Sequence, residues 1–369
     1  MYQRFWPLMG FLVYFLTGFG LSAQDIQVDE RFQVAREILD VRVLDASDRP
    51  IKGLSLDDFA LRIGGRPVPL LSCEWVDYQQ SGGEFPTYTA SAGEADRLKT
   101  FEEEDAEFWS EERMMLSEGT EPAPEGRLIV ILFQGDLGQD RSSDLQRVSR
   151  HIKPMLEELN PNDYVAVYSF HSHLSLHSDF TRDRAMTEEA VYQATRRSDT
   201  ITFMASEPPT LSTHFEAARG KNVSRMETAL LEIGHNLEPF PGVKTLIYVG
   251  YGFGRYLAGP YVKLEPEYHD AVFGLNRARV STFCLDITPT EFHSLSRSMR
   301  SLASDTGGTY QSSLNFPETA FRNVVKSIDG YYRISFQMPS SVKSRAKFKL
   351  KLLADGRLHV RHPYDGDRF

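Results

Sequence analysis

The sequence predicts an α/β protein in which a doubly wound, mainly parallel sheet is inserted in or beside a small antiparallel β-sandwich. Three observations predict it. Between residues 127 and 329, continuous apolar strands alternate with amphipathic helical runs, which is the pattern of a parallel sheet covered on both faces. Short period-two runs punctuated by Gly-Gly, Pro and Asp-Gly turns lie on either side, in residues 24–78 and 330–369. At 369 residues the chain also exceeds the size at which a single core keeps growing, so two packed units are expected.

The elements follow in order. Residues 1–23 carry Arg4, then an apolar stretch, then Leu21-Ser22-Ala23 as a small-residue cleavage site. They are expected to be a signal peptide, which places the remainder outside the cytoplasm, periplasmic or secreted; an uncleaved anchor is the alternative, and only then would membrane contact persist. In residues 24–78, Ile38-Leu-Asp-Val-Arg-Val-Leu-Asp45 alternates apolar and polar side chains, Ser47-Asp-Arg-Pro50 is a turn, and Ala60-Leu-Arg-Ile63 and Pro67-Val-Pro-Leu-Leu71 flank Gly64-Gly65. This is expected to be half of the sandwich. Residues 79–126 contain Glu102-Glu-Glu-Asp105 and Glu111-Glu112 and end in Glu121-Pro-Ala-Pro-Glu-Gly126. Such a stretch buries too little apolar surface to offset its ordering entropy, so an acidic linker or flap is expected.

The α/β body begins with the strand Arg127-Leu-Ile-Val-Ile-Leu-Phe133 and a helical run over 143–159. Strands follow at 163–170 and, as a short edge, 173–177; helical runs at 184–197 and 224–237; strands at 243–249 and 280–286; helices at 291–304 and 317–328. Residues 330–369 return to alternation, with Ala354-Asp-Gly-Arg357 as a hairpin turn, and are expected to complete the sandwich. Cys73 and Cys284 are expected to be free, buried thiols, because a disulfide scaffold needs more cysteine than two. The hydrophobic fraction of 41% and charged fraction of 25% are those of ordinary globular protein. A formal charge of −10, or −11 without residues 1–23, argues against nucleic acid as a partner.

Val41-x-Val43-x-Asp45, Gly53-Leu54, Asp58-Phe59, the strands at 128–133 and 163–170, Asp179-Phe-Thr-x-Asp183, Pro241-Gly-Val-Lys244, Asp305-Thr-Gly-Gly308 and Tyr331-Tyr332 occur in one order over about three hundred residues. Together they resemble a bacterial, exported subgroup of von Willebrand factor type A (VWA) proteins. The resemblance implies a Rossmann-like sheet and a role in adhesion or protein–protein interaction. It also implies three loops that hold Mg²⁺ or Mn²⁺, and here those loops depart from the family pattern. Where the family has Asp-x-Ser-x-Ser, this chain has Asp136-x-Gly138-x-Asp140; the second-loop threonine falls at Ser224; and Val249-Gly-Tyr-Gly-Phe-Gly254 replaces a Ser/Thr-Asp-Gly third loop. A hard cation wants about six oxygen ligands. A site built from Asp136, Asp140 and Ser224 is therefore expected to be lost or weakened, and no cofactor is expected.

The same edge lies at the carboxyl ends of parallel strands, where open sheets place their binding crevice. Tyr251, Phe253, Arg255 and Tyr256 are expected to project there as an aromatic and basic cluster suited to a protein partner; the alternative is a glycine-rich turn with ordinary packing aromatics. His171, His173 and His177 offer a competing chemistry, since alternate residues on a strand share a face and two imidazoles can bind the zinc of a hydrolase. Gly250-x-Gly252-x-Gly254 has neither dinucleotide nor P-loop spacing, and Asp286 with Asp305 or Glu291 lacks a nucleophile and an oxyanion site. The expectation is a non-enzymatic module that binds another protein or envelope macromolecule, with a zinc hydrolase and a structural envelope component as the alternatives.

Overall fold

The computed structural model describes residues 36–77, 124–135, 139–196, 198–257, 262–290, 293–313, 317–337 and 348–361, all within one compact unit, Val34–Phe369. The expected export signal, residues 79–123 of the expected acidic segment, Asp136 and Glu291 lie outside them, as does the side chain of Asp140.

The first four strands are β1 (Arg36–Leu44), β2 (Phe59–Ile63), β3 (Arg66–Val68) and β4 (Leu70–Asp77). The α/β body then runs through β5 (Leu128–Gln134), α1 (Gln139–Arg150), α2 (Ile152–Glu157), β6 (Tyr164–Phe170), β7 (Leu174–Thr181), α3 (Arg184–Thr195), α4 (Ala217–Lys221), α5 (Met226–Leu237) and β8 (Lys244–Gly250). It continues with β9 (Arg255–Tyr256), β10 (Val262–Lys263), α6 (Glu267–Arg277), β11 (Val280–Asp286), α7 (Ser296–Asp305), β12 (Tyr310–Ser312) and α8 (Pro317–Ser327), and the chain returns through β13 (Gly330–Gln337), β14 (Phe348–Leu352) and β15 (Arg357–Arg361).

Amino-terminal and carboxyl-terminal strands share both sheets of the sandwich, in the orders β15-β1-β13-β4 and β14-β2-β3. Leu39, Val41 and Val43 of β1, Leu61 of β2 and Ile334 of β13 meet in its core. The polar face of β1 is not a solvent face. Asp40 and Arg42 are buried against the α/β body, where Arg42 donates to Ser281 Oγ (2.8 Å) and the Gly307 carbonyl (3.2 Å), and Asp40 accepts from Arg279 and Arg361.

The six-stranded sheet has the order β12-β11-β8-β5-β6-β7, parallel except for β7, which runs antiparallel to β6 at the edge. Val130 and Leu132 of β5 point into one core with α5, α6 and α7, while Ile129, Ile131 and Phe133 point into the other with α1, α2, α3 and α8. Burial on both faces is why this strand reads as an unbroken apolar run. From β5 the chain passes to β6 on one side and later to β8 on the other, so the topological switch lies between β5 and β8.

Several boundaries differ from expectation. The run over 143–159 is two helices broken at His151, because Pro154 has no N–H to offer the carbonyl four residues back and is tolerated only in a first turn. The short edge strand extends to Thr181, and α6 was not legible at all. Neither cysteine is in a disulfide; Cys284 is buried but Cys73 only half-buried. Among the described residues no helix is long and apolar enough to cross a membrane.

Candidate interaction edge

β5 ends at the switch point in Gln134, and both polar atoms of this amide are engaged. Its Oε1 accepts from the Tyr248 hydroxyl (2.5 Å) and the Tyr251 N–H (3.1 Å), and its Nε2 donates to the Gly252 carbonyl (2.8 Å). The Tyr251 hydroxyl donates in turn to the Gly135 carbonyl (2.9 Å). Burial pushes the Tyr248 hydroxyl well above its usual pKa, so it stays a donor. Two glycines make the closure possible. A Cβ on Gly135 would lie 1.7 Å from His171 Nδ1, and a Cβ on Gly252, at φ +92°, would lie 2.3 Å from the Leu295 carbonyl oxygen. At the point where parallel strands normally leave a crevice, a neutral hydrogen-bonded plug thus ties the end of β5 to the loop after β8.

The four residues expected to project together divide into two pairs. Tyr251 is 8% exposed and packs with Val262 and Leu295; Phe253 is 5% exposed, lies between Tyr248 and Tyr268, and donates its N–H to Ser298 Oγ. Only Arg255 and Tyr256 stand in solvent, joined by Leu257. The reason is the Gly-x-Gly-x-Gly backbone, whose left-handed turns at Gly252 and Gly254 let the chain fold back over its own aromatics. Beyond them β9 and β10 form a two-stranded ribbon in which Arg255 faces Lys263 and Tyr256 faces Val262, and Arg255 pairs with Glu265 at 3.0 Å.

At the end of β11, Asp286 accepts from His293 Nε2 (2.5 Å), the Tyr310 hydroxyl (2.7 Å) and the Thr288 N–H (3.0 Å). The carboxylate pairing considered with Asp305 does not form. Asp305 sits at the far end of α7, bonded to the Tyr268 hydroxyl, and burial raises its pKa. The histidines also separate. His171 Nε2 bonds the Ala194 carbonyl (2.7 Å), His173 pairs with Asp199 (3.0 Å), and His177 is enclosed by Ser169 Oγ (2.7 Å) and the Thr200 carbonyl (3.0 Å), with burial lowering its pKa. Each imidazole has its own partner, and among the described residues no group of three His, Cys, Asp or Glu side chains has the spacing to hold a metal ion.

The described residues of the edge do not fit an octahedral Mg²⁺ or Mn²⁺. The strand-end side chain is an amide whose oxygen already accepts two hydrogen bonds, the third loop presents buried aromatics, and Ser224 is an exposed residue ahead of α5. Sequence reading placed the first ligand at Asp136 and passed over Gln134. The available clue was that the apolar run of β5 ends at position 134, in register with Phe170.

A parallel sheet with one antiparallel edge strand, helices on both faces and a loop edge at the β5–β8 switch settles the architecture. The α/β body has a von Willebrand factor type A-like fold. No protein-family model matches the chain, and no curated protein does. Solved structures that resemble it include the conserved hypothetical protein BatB from Bacteroides thetaiotaomicron, 14% identical over 55% of this chain and 97% of that chain, with a TM-score of 0.37. An aerotolerance-related membrane protein from Bacteroides fragilis is 12% identical over 55% of this chain and 100% of that one, at 0.38. A von Willebrand factor type A protein from Catenulispora acidiphila is 12% identical over 65% and 66%, at 0.37. These likenesses concern fold and carry no argument about partner or activity.

Proposed function

We propose that this VWA-like chain is an exported, non-enzymatic module that recognises another protein or envelope macromolecule through the β9–β10 ribbon, at a sheet edge that works without a resident divalent cation. The observation that carries the reading is the ribbon itself. Arg255, Tyr256 and Leu257 are exposed together, on a base held by Tyr251, Val262 and Leu295. Aromatic and arginine side chains are enriched in protein interfaces, and a rigid base lowers the entropy lost when they are captured. The Gln134 plug fixes the loop that leads into the ribbon, a task that needs no ion. Export rests on residues 1–23, whose positive start, apolar stretch and small-residue end are those of a secretory signal.

The test is site-specific photo-cross-linking in the producing cell. A photoreactive residue at position 256 should capture a discrete partner, and one at Leu353, which is 63% exposed on the sandwich, should not. Arg255→Glu should abolish the product at 256. Equal products from both positions, or a product unaffected by the charge reversal, would remove the ribbon from the reading.

A further inference from the structure

The two sheets of the sandwich share one core. The sheet β15-β1-β13-β4 turns the Asp40 and Arg42 face of β1 to the α/β body and its apolar face to Leu61, Ile63 and Leu350 of the other sheet. The outer face of β14-β2-β3 therefore points away from the α/β body. Leu61, Ile63, Val68 and Leu350 face inward, so alternation sends Ala60, Arg62, Pro67, Lys349 and Lys351 outward. Three of these five outward positions are exposed cations and none is an acid, in a chain whose acids outnumber its bases by 51 to 41.

The register sets the cations side by side. Lys349 lies directly opposite Arg62, whose other neighbour is Pro67, and Lys351 lies opposite Ala60. Directly opposite residues have Cβ atoms about 5 Å apart, and like charges there destabilise a sheet; Lys351 follows about 7 Å along the strand. Lysines on an edge strand such as β14 deter pairing with other chains, but Arg62 stands on the central strand, where that purpose does not apply. Ala60 and Pro67 raise no wall beside the cations, so the face is a flat array of point charges rather than a pocket. Leu353, 63% exposed, follows Lys351 at the rim. Asp57, Asp58 and Asp355 lie beyond that end, where Asp58 is held by the Ser55 N–H (2.7 Å).

We propose that the outer face of the β14-β2-β3 sheet docks on an anionic phospholipid bilayer through Arg62, Lys349 and Lys351, holding the α/β body away from the lipid. A flat array of cations matches a surface of phosphate headgroups, and Leu353 adds an apolar side chain at its rim. Each lysine or arginine close to such a surface favours binding by about fivefold, so three give on the order of a hundredfold over a neutral bilayer. Charges more than about 8 Å away are screened at physiological salt, so this face decides the contact rather than the net charge of the chain. Location outside the cytoplasm is taken from the function proposed above; the docking face is not. Lipid contact at Leu353 gives no protein adduct, so the cross-linking control at that position stands.

The test is co-sedimentation of the full chain with vesicles of phosphatidylcholine alone and of equal parts phosphatidylcholine and phosphatidylglycerol, at physiological and at high salt. Wild type should prefer the anionic vesicles by on the order of a hundredfold and lose that preference at high salt. Residues 1–23 meet both kinds of vesicle, in wild type and variants alike, so the ratio reports the face. Arg62→Gln, Lys349→Gln and Lys351→Gln combined should abolish the preference, and such exposed substitutions leave folding intact. Lys153→Gln, Lys221→Gln and Lys263→Gln combined remove the same charge from exposed sites of the α/β body and should keep it. Equal binding to both kinds of vesicle, or equal losses in the two triple variants, would overturn the docking face. So would carbodiimide cross-links from Lys349 or Lys351 to residues 102–112 in the protein alone, which would assign the face to the chain's own acidic segment. Vesicle binding does not read the ribbon, so failure here leaves the cross-linking result at position 256 untouched, and the reverse holds.

Discussion

Replacing Asp40 by asparagine removes the negative charge that joins the sandwich to the α/β body. Asp40 is fully buried in β1, where it accepts from Arg361 and, at 3.2 Å, from Arg279. Burial alone would raise its pKa, but the guanidinium groups of Arg279, Arg361 and Arg333 outweigh that and hold the carboxyl far below its usual range. Asparagine keeps the shape and removes the carboxylate that those guanidinium groups share. Breaking a buried pair from one side costs about 3–5 kcal/mol. With a urea m value of about 3 kcal/mol per M, the midpoint should fall by about 1–1.7 M at pH 7. The pH dependence follows from the depressed pKa: the stabilisation is complete above the unfolded value of about 3.9 and is lost as pH falls below it, at about 1.4 kcal/mol per pH unit. The difference between wild-type and D40N stabilities, measured by urea unfolding, should therefore shrink by about 2.7 kcal/mol between pH 4 and pH 2. A variant within about 0.5 kcal/mol of wild type at pH 7, or a difference that does not shrink in acid, would refute the reasoning.

Tyr251→Ala and Tyr256→Ala should behave oppositely in thermal and urea unfolding. Tyr251 is part of the buried plug, and its truncation should cost about 3–5 kcal/mol, whereas Tyr256, 56% exposed, should change stability by no more than about 0.5 kcal/mol; equal effects would contradict the division of the four edge residues. Chelator-treated protein should show no rise in melting temperature with Mg²⁺, Mn²⁺, Ca²⁺ or Zn²⁺. A native-state ion at a hundredfold excess over its Kd would add about 2.7 kcal/mol; a rise with Mg²⁺ or Mn²⁺ would return attention to Asp136, and one with Zn²⁺ alone to His171, His173 and His177.

Much of the fold was legible because burial on two faces is a local property. The apolar runs of β5, β8 and β11 announce a parallel sheet without reference to anything distant. Helix α6 was not legible: it carries Gly274 in its interior, which weakens intrinsic helix formation, and it is stabilised by close packing on α5, where a Cβ on Gly234 would lie 2.9 Å from the Gly274 carbonyl carbon. The loop edge was located, but its content was not. Tyr251 and Phe253 follow glycines in a loop, which reads equally as display or as concealment, and the positive φ angles that decide for concealment depend on Leu295 and Ser298 more than forty residues on.

What the sequence determined by itself was the set of elements whose partners are implied by period: apolar strands, alternating strands and the order in which they come. Tertiary structure decided which polar residues are exposed. Asp40 and Arg42 sit in an alternating strand where a polar face normally meets water, yet both are buried, because a hydroxyl from β11 and guanidinium groups from the turn before it and from β15 meet them there. Gln134 became a plug for the same reason. A polar side chain's cost or use depends on which donors and acceptors the fold brings within about 3 Å, and that information is spread across the chain rather than written beside the residue.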